Sequence, residues 1–374
     1  MNKKALLFTF FATCASLLAA REIPADSLTQ TASEKSEKTS KKIWNAFDPS
    51  IKFSGYIIGK YSIDNQDGKT SNSTFDLRFV RLSASGYCFK DFYYRLQVEI
   101  NGMPSKDNGP RIMDAFVEWQ KFDFLRVKLG QFKRPIGFEN PMSPLDVGLG
   151  NYSQATLKLA SINDRIDGHK CSGRDVGVQL QGDLFPATDG HKWLHYQVGV
   201  FNGQGINHTD KDNFKDVIGG LWLSPVKGLS VGGFGWNGKY TNDNFKGDGT
   251  DLKSVERKRW GVGYMYDNGT WSTRGEYIAS KGQNPADIHS ANRSDAWYVQ
   301  VGAPLFKDFK LFGRYDCYRE NKHWNSLKTI YALAANYYLG KHLIFQANYS
   351  FTNDRSATIG RNYSTFDVQV AARF

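Results

Sequence analysis

The chain has 374 residues, with 48 Lys and Arg against 37 Asp and Glu for a formal charge of +11, and 14% of its residues are aromatic. Mean hydropathy is −0.50, and beyond residue 20 no run of about 18 apolar residues occurs, which excludes transmembrane helices. Abundant rings and glycines at low hydropathy suit a transmembrane β-barrel, where only one side chain in two meets lipid.

In chain order, Met1-Asn2-Lys3-Lys4 is a short basic segment, followed by an apolar stretch from Ala5 to Ala20 ending in Leu18-Ala19-Ala20. This is the layout of a secretory signal peptide cleaved after Ala20, so residues 1–20 are set aside from the fold. Cys14 would suggest a lipidated terminus, but Phe11-Ala12-Thr13 lacks the Leu expected three residues before such a cysteine. Without Lys3 and Lys4 the balance is 46 basic against 37 acidic residues, or +9. A basic chain ordinarily suggests nucleic-acid binding, yet an exported chain does not meet nucleic acid as a normal partner, and a basic pore interior fits better. Residues 21–50 are a separate region. Ser27 to Lys42 is rich in Ser, Thr, Lys and Glu with almost no large apolar residue, as in a solvated, flexible periplasmic tail, and no apolar heptad supports a coiled coil there.

From Ile51 onward the period becomes two, and residues 51–374 read as one antiparallel barrel of about sixteen strands. The first eight centre on 51–63, 75–88, 92–100, 112–120, 125–132, 174–182, 194–202 and 214–224. The second eight centre on 229–240, 257–267, 271–280, 294–303, 309–318, 328–339, 342–352 and 363–374. Odd-numbered connections are long and even-numbered ones tight, such as Phe89-Lys90-Asp91 and Gly340-Lys341, with 183–193 the one exception. Short turns on one side and long loops on the other describe a bacterial outer-membrane barrel with both termini in the periplasm. A β-sandwich or propeller would not produce that alternation.

Alternation also assigns the lumen. On the third strand Phe92, Tyr94, Leu96, Val98 and Ile100 face lipid, which turns Arg95 and Glu99 inward; on the fifth, Leu125, Val127 and Leu129 face out and Arg126 and Lys128 inward. Lys310, Arg314 and Asp316 point in on the thirteenth, and the same reading places Lys52, Lys60, Arg259, Arg274 and Arg373 inside with Asp114, Glu118, Asp175, Glu276 and Asp367. The inner wall then carries ten cations against seven carboxylates. Phe79-Val80 breaks the pattern on the second strand, as at a bulge, so Arg78 or Arg81, and not necessarily both, lines the pore. The last strand alternates cleanly, with Phe366, Val368, Val370, Ala372 and Phe374 on one face and Asp367, Gln369 and Arg373 on the other. Its final Phe374 resembles the signal that outer-membrane barrels present to their assembly machinery.

Gly130-Gln-Phe-Lys-Arg-Pro-Ile-Gly-Phe-Glu139 closes the fifth strand and resembles the Gly-x-Phe-Lys-x-Pro-Phe-Gly-x-Glu segment of the phosphate-selective porin O/P family, departing at Arg134 and Ile136. Phe201-Asn-Gly-Gln-Gly205, Gly313-Arg-Tyr-Asp316 and Asn336-Tyr-Tyr-Leu339 resemble family segments in the same order. The similarity covers roughly residues 50–374. It implies a sixteen-stranded outer-membrane porin, usually a homotrimer, for small hydrophilic solutes. It does not fix phosphate as the solute.

An inward basic surplus attracts anions without demanding them. The connection 133–173 is long enough to expect a function; in porins the third external loop folds into the barrel and narrows it. It carries Lys133, Arg134, Lys158, Arg165 and Lys170 against Glu139, Asp146, Asp164 and Asp167, and Pro135, Pro141 and Pro144 restrict its first third. Whether it enters the barrel or covers it as an external lid stays open. The expected anion-contacting set is Arg95, Arg126, Lys128, Lys133, Arg134, Lys158, Arg165, Arg274, Lys310 and Arg314. No nucleophile elbow or HExxH helix points to an enzyme, and a barrel hydrolase or a plugged adhesin is the alternative reading. No cofactor is expected, and no metal. His169 and Cys171 lack two further ligands, Asp210, Asp212 and Asp216 read as a solvated acidic loop, and Cys88, Cys171 and Cys317 show no paired spacing.

Overall fold

The structure, a computed structural model, describes residues 51–101, 109–242, 254–283 and 292–374. The expected signal peptide (1–20) and tail (21–50) lie outside the described residues. Sixteen strands follow one another: β1 Lys52–Gln66, β2 Asn72–Cys88, β3 Phe92–Glu99, β4 Arg111–Phe122, β5 Leu125–Lys133, β6 Arg174–Pro186, β7 Lys192–Phe201 and β8 Asp216–Val226. Then come β9 Leu229–Thr241, β10 Ser254–Asp267, β11 Ser272–Lys281, β12 Arg293–Phe306, β13 Phe309–Arg319, β14 Leu327–Leu339, β15 Leu343–Asp354 and β16 Asn362–Arg373. Each pairs antiparallel with its neighbours, and β1 pairs with β16 from Tyr56↔Arg373 to Gln66↔Tyr363. Closure satisfies the backbone polar groups that hydrocarbon cannot.

The strands run a few residues further than alternation alone suggests, at both their turn and their loop ends. β6 continues through Pro186 and β7 begins at Lys192, so the apparently long 183–193 connection shrinks to residues 187–191. Asp183 and His195 face each other in register there, with a 2.7 Å contact from the carboxylate to Nδ1. Elsewhere Asp123-Phe124, Lys227-Gly228 and Lys307-Asp308 suffice as turns. The outer face is apolar, with Phe53, Phe75, Leu129 and Leu333 among its most exposed side chains. Rings gather near the turns, where Phe122 stacks on Phe124 and Phe306 on Phe309, centroids 5.1 and 4.7 Å apart.

The irregularity on β2 is a bulge at Arg78: Ile58 faces Phe79, and the next residue, Gly59, faces Leu77. The extra residue brings Arg78, Phe79 and Arg81 together, and both arginines sit on the inner wall. Arg78 donates to Gln369 Oε1 at 2.9 Å, and Arg81 bonds Glu99 at 2.5 Å and the Tyr56 hydroxyl at 2.9 Å.

Residues 134–173 lie inside the barrel. Ile136, Ala155, Leu159 and Ala160 pack on inward rings and aliphatics of the wall, among them Phe201, Ile218, Phe234, Trp236 and Ile278. Further along, Leu149 meets Phe312 and Leu145 meets Tyr56 and Ile58. The lumen therefore holds a core of the kind a soluble domain has, and the inward apolar residues that look misplaced beside water belong to it. Ala155–Leu159 forms a single π-helical turn.

Candidate channel constriction

A loop buried inside a barrel must find partners for its own carbonyls and amides, and inward polar side chains supply them. Gln300 donates to Val147 O at 2.7 Å, Asn336 to Gly148 O at 2.9 Å, and Arg314 to Asn151 O at 2.8 Å and Tyr152 O at 3.2 Å. In return Asn348 accepts from Gly150 N at 2.8 Å, and Asp316 accepts from Gln154 N at 2.9 Å. Gly148, at φ +86°, passes so close to the wall that a Cβ there would lie 2.6 Å from the Phe312 ring.

Charged groups fasten both ends of the loop. Arg134 pairs with Asp175 at 2.7 Å, both wholly buried. Arg259 reaches Leu159 O at 2.5 Å, the Ser161 hydroxyl at 2.7 Å and Asp164 at 2.6 Å. Arg134, Arg257 and Arg259 all stack on the Trp236 indole, 4.5–4.8 Å from its centre. Between these ends Glu139 accepts from the Ser153 amide and hydroxyl at 2.8 and 2.6 Å and from Arg274 at 3.1 Å. Burial alone would raise the Glu139 carboxyl; the Arg274 and Arg314 guanidinium groups and the Ser153 hydroxyl hold it below the usual carboxylate range.

What the loop leaves open is a cavity of about 280 Å³ against β1 and β2. Lys60, Asp76, Arg78, Phe79 and Arg81 form its wall side. Pro144, Asn151, Tyr152, Leu157, Ile162 and Ser172 form its loop side, and Lys133 and Arg174 contribute from β5 and β6. Five cations thus meet one carboxylate. Arg81 and Arg174 have acidic partners, Glu99 at 2.5 Å and Asp114 at 2.7 Å. Lys60, Arg78 and Lys133 make no ion pair among the described residues, and Lys133 donates instead to Asn140 O at 2.8 Å and Met142 O at 2.5 Å. A second cavity of about 790 Å³ opens among the turns, lined by Leu145, Arg274, Asp308 and Lys310. Pro144 faces one cavity and its neighbour Leu145 the other, so the loop divides the lumen.

Of the ten residues expected to contact anions, only Lys133 lines the narrow cavity. Arg274 and Lys310 line the wide one, where Arg274 also holds Val147 O at 3.0 Å and Lys310 donates to Gly269 O at 2.9 Å. Arg134 and Arg314 are both buried and bonded to the loop or its anchors, and the Arg165 guanidinium is held by Glu320 at 2.7 Å. Arg126 pairs with Asp183 at 2.5 Å, Lys128 with Glu118 at 3.6 Å, and Arg95 lies 3.7 Å from Asp114. Lys158 is half-buried on the π-helical turn, and burial lowers its ammonium below the usual lysine range. Alternation had placed Lys60 inside. It missed Arg174, which pairs in register with Lys133 and shares the parity of outward Leu129 and Val178. Gly130 lies between Leu129 and Lys133 at φ +129°, where a Cβ would collide with the Ala115 carbonyl, and the Arg174 guanidinium turns to Asp114 at 2.7 Å.

The acidic group expected in the fourth external loop separates. Asp216 is buried, bonded to Arg257 and Trp236 Nε1 at 2.8 Å each, while Asp210 pairs with Lys215 near the surface.

The family model described as phosphate-selective porin O and P matches residues 52–205 and 237–371. No curated protein matches the sequence. The fold is similar to that of an anion-selective porin from Comamonas acidovorans, with a TM-score of 0.66, 14% identity, and 87% of this chain and 99% of that one covered. It is also similar to Salmonella typhi OmpF in complex with daunomycin (0.64, 15%, 87% and 97%). A third likeness is to Vibrio cholerae OmpT in trimer form (0.56, 13%, 87% and 99%). At these identities the likeness shows the fold.

Proposed function

The chain belongs to the phosphate-selective porin O and P family, and from that premise we propose that its barrel forms an anion-preferring passage narrowed by residues 134–173. It is a porin of the bacterial outer membrane. The observation that carries the anion preference is the cavity beside β1 and β2, where Lys60, Arg78 and Lys133, which make no ion pair among the described residues, join the paired Arg81 and Arg174 and Asp76 is the lining carboxylate. Rings of Arg and Lys favour anions, and low-dielectric walls strengthen their field. The Comamonas relative, itself anion-selective, supports the same reading. Phosphate is one candidate solute among small hydrophilic anions.

Three wall carboxylates that meet the loop are engaged in holding it, Asp316 and Glu276 by accepting backbone amides of Gln154 and Glu139 and Asp175 by pairing with Arg134, which supports a channel and not a hydrolase. We assign the assembled form as a homotrimer, on the strength of the family and the trimeric Vibrio relative. Residues 1–20 are assigned as an export leader and 21–50 as a periplasmic tail in the same proposal, with outer-membrane lipid around the apolar face.

Reversal potentials in a potassium chloride gradient test the anion preference. The wild-type channel should favour chloride, and Lys60→Glu with Arg78→Glu should move the reversal potential toward that of potassium. The preference should fade as salt rises, because the screening length falls to about 3 Å at 1 M. A cation preference in the wild type would refute the reading.

A further inference from the structure

The narrow cavity is two-sided, and its two sides do not suit the same kind of anion. On the wall, Arg78 and Arg81 flank the Phe79 ring at 5.1 and 4.4 Å from its centre. Arg78 has one hydrogen bond, to Gln369, and Lys60 has none among the described residues. Facing these donors, the loop presents Pro144, Leu157, Ile162 and the Tyr152 ring, whose hydroxyl is already bonded to Met142 O at 2.8 Å; its polar members are Asn151, whose carbonyl accepts from Arg314, and Ser172, whose hydroxyl accepts from Arg111. Lys133 lies 5.7 Å from the centre of that ring.

A bare inorganic phosphate carries acceptors on all its oxygens. Against the hydrocarbon of Leu157 and Ile162 it would lose water without gaining donors, a cost that polar groups meet whenever they are desolvated unpaired. An anion with its charge at one end and an apolar body at the other avoids that cost: the charged end takes the donors of Lys60 and Arg78, and the body covers the loop side, where apolar burial is favourable. We propose that the preferred solutes are small organic carboxylates bearing an apolar or aromatic body. The inference rests on the anion-preferring passage above and adds the class of anion.

The test uses the full-length porin in planar bilayers, with chloride current at low salt titrated by acetate, butyrate, hexanoate, benzoate and inorganic phosphate. Benzoate and hexanoate should block at roughly tenfold lower concentration than acetate or phosphate, and block should strengthen along the alkyl series. Leu157→Ser together with Ile162→Ser should flatten that series. The wild-type series alone decides the matter should the double variant not fold. Phosphate blocking at lower concentration than benzoate, or a flat alkyl series, would overturn the proposal while a chloride-favouring reversal potential left the anion passage standing. Loss of chloride preference in the wild type would instead remove the premise.

Discussion

Asp164 sits where two guanidinium groups converge, Arg259 at 2.6 Å and Arg257 at 3.7 Å. The Ser161 hydroxyl donates to the same carboxylate. Burial alone would raise this carboxyl, but Arg259, Arg257 and Ser161 outweigh it and hold it well below the usual carboxylate range. Its folded pKa therefore lies below the roughly 3.9 of an unfolded Asp. The stability it contributes is fully present above that value and is lost as pH falls through it toward the folded pKa. Since Asp164 fastens the loop to β10, the loss should appear as loosening of residues 155–173. Protease accessibility of the loop should rise below about pH 4, and Asp164→Asn should show much of that rise already at neutral pH. Breaking a buried pair costs about 3–5 kcal/mol, enough to change cleavage rates by orders of magnitude. An Asp164→Asn protein with wild-type protection at neutral pH would show that the loop is held elsewhere.

At the scale of the loop, the barrel closes through its own ladder and owes none of its strand pairing to residues 134–173. Replacing 140–170 with a short Gly-Ser linker should therefore leave a folded channel. Its single-channel conductance should rise and its ion preference should weaken, because the linker removes the loop side of the narrow cavity and frees Lys133. Unchanged conductance would place the narrowest point on another loop. The sixteen strands were legible because a wall between lipid and lumen imposes a period of two, and a period survives errors of a few residues at each end. The bulge announced itself at Phe79-Val80, but pairing was needed to show that Arg78 is the extra residue and that both arginines face in. Charge could not say which lumen cations meet solute. Lys133 and Arg134 are adjacent, yet one lines the cavity and the other is sealed against Asp175 and Trp236. That difference is made by partners distant in sequence, and Arg174 was hidden because it shares the parity of outward Val178 yet turns to Asp114.

For the whole molecule the decisive contact is the seam where the sheet meets itself. Phe374 N donates to Gly55 O at 3.1 Å and Gly55 N to Phe374 O at 3.0 Å, so the last residue adds a paired step beyond Arg373↔Tyr56. Its ring lies on the outer surface, more than half exposed, and occupies the place a Gly55 side chain would need, with Cζ 2.6 Å from a Cβ there. A seam is the one pair of strands joined across the full length of the chain, so its closure carries the greatest loop entropy of any pairing in the barrel. An outward aromatic on the closing strand shields the seam once it has closed, and we propose that the assembly machinery reads it before closure. Deleting Phe374 should remove both backbone bonds and the ring, whereas Phe374→Asp should keep the bonds and place a charge on the lipid face near an interface, a cost of about 0–1 kcal/mol by depth. If the seam bonds matter most, only the deletion should lower the yield of heat-modifiable barrel in cells. If the outward ring is read during assembly, as proposed here, both variants should lower it, and both should still fold in detergent from the purified chain. Equal yields of all three proteins in the outer membrane would remove Phe374 from the assembly process.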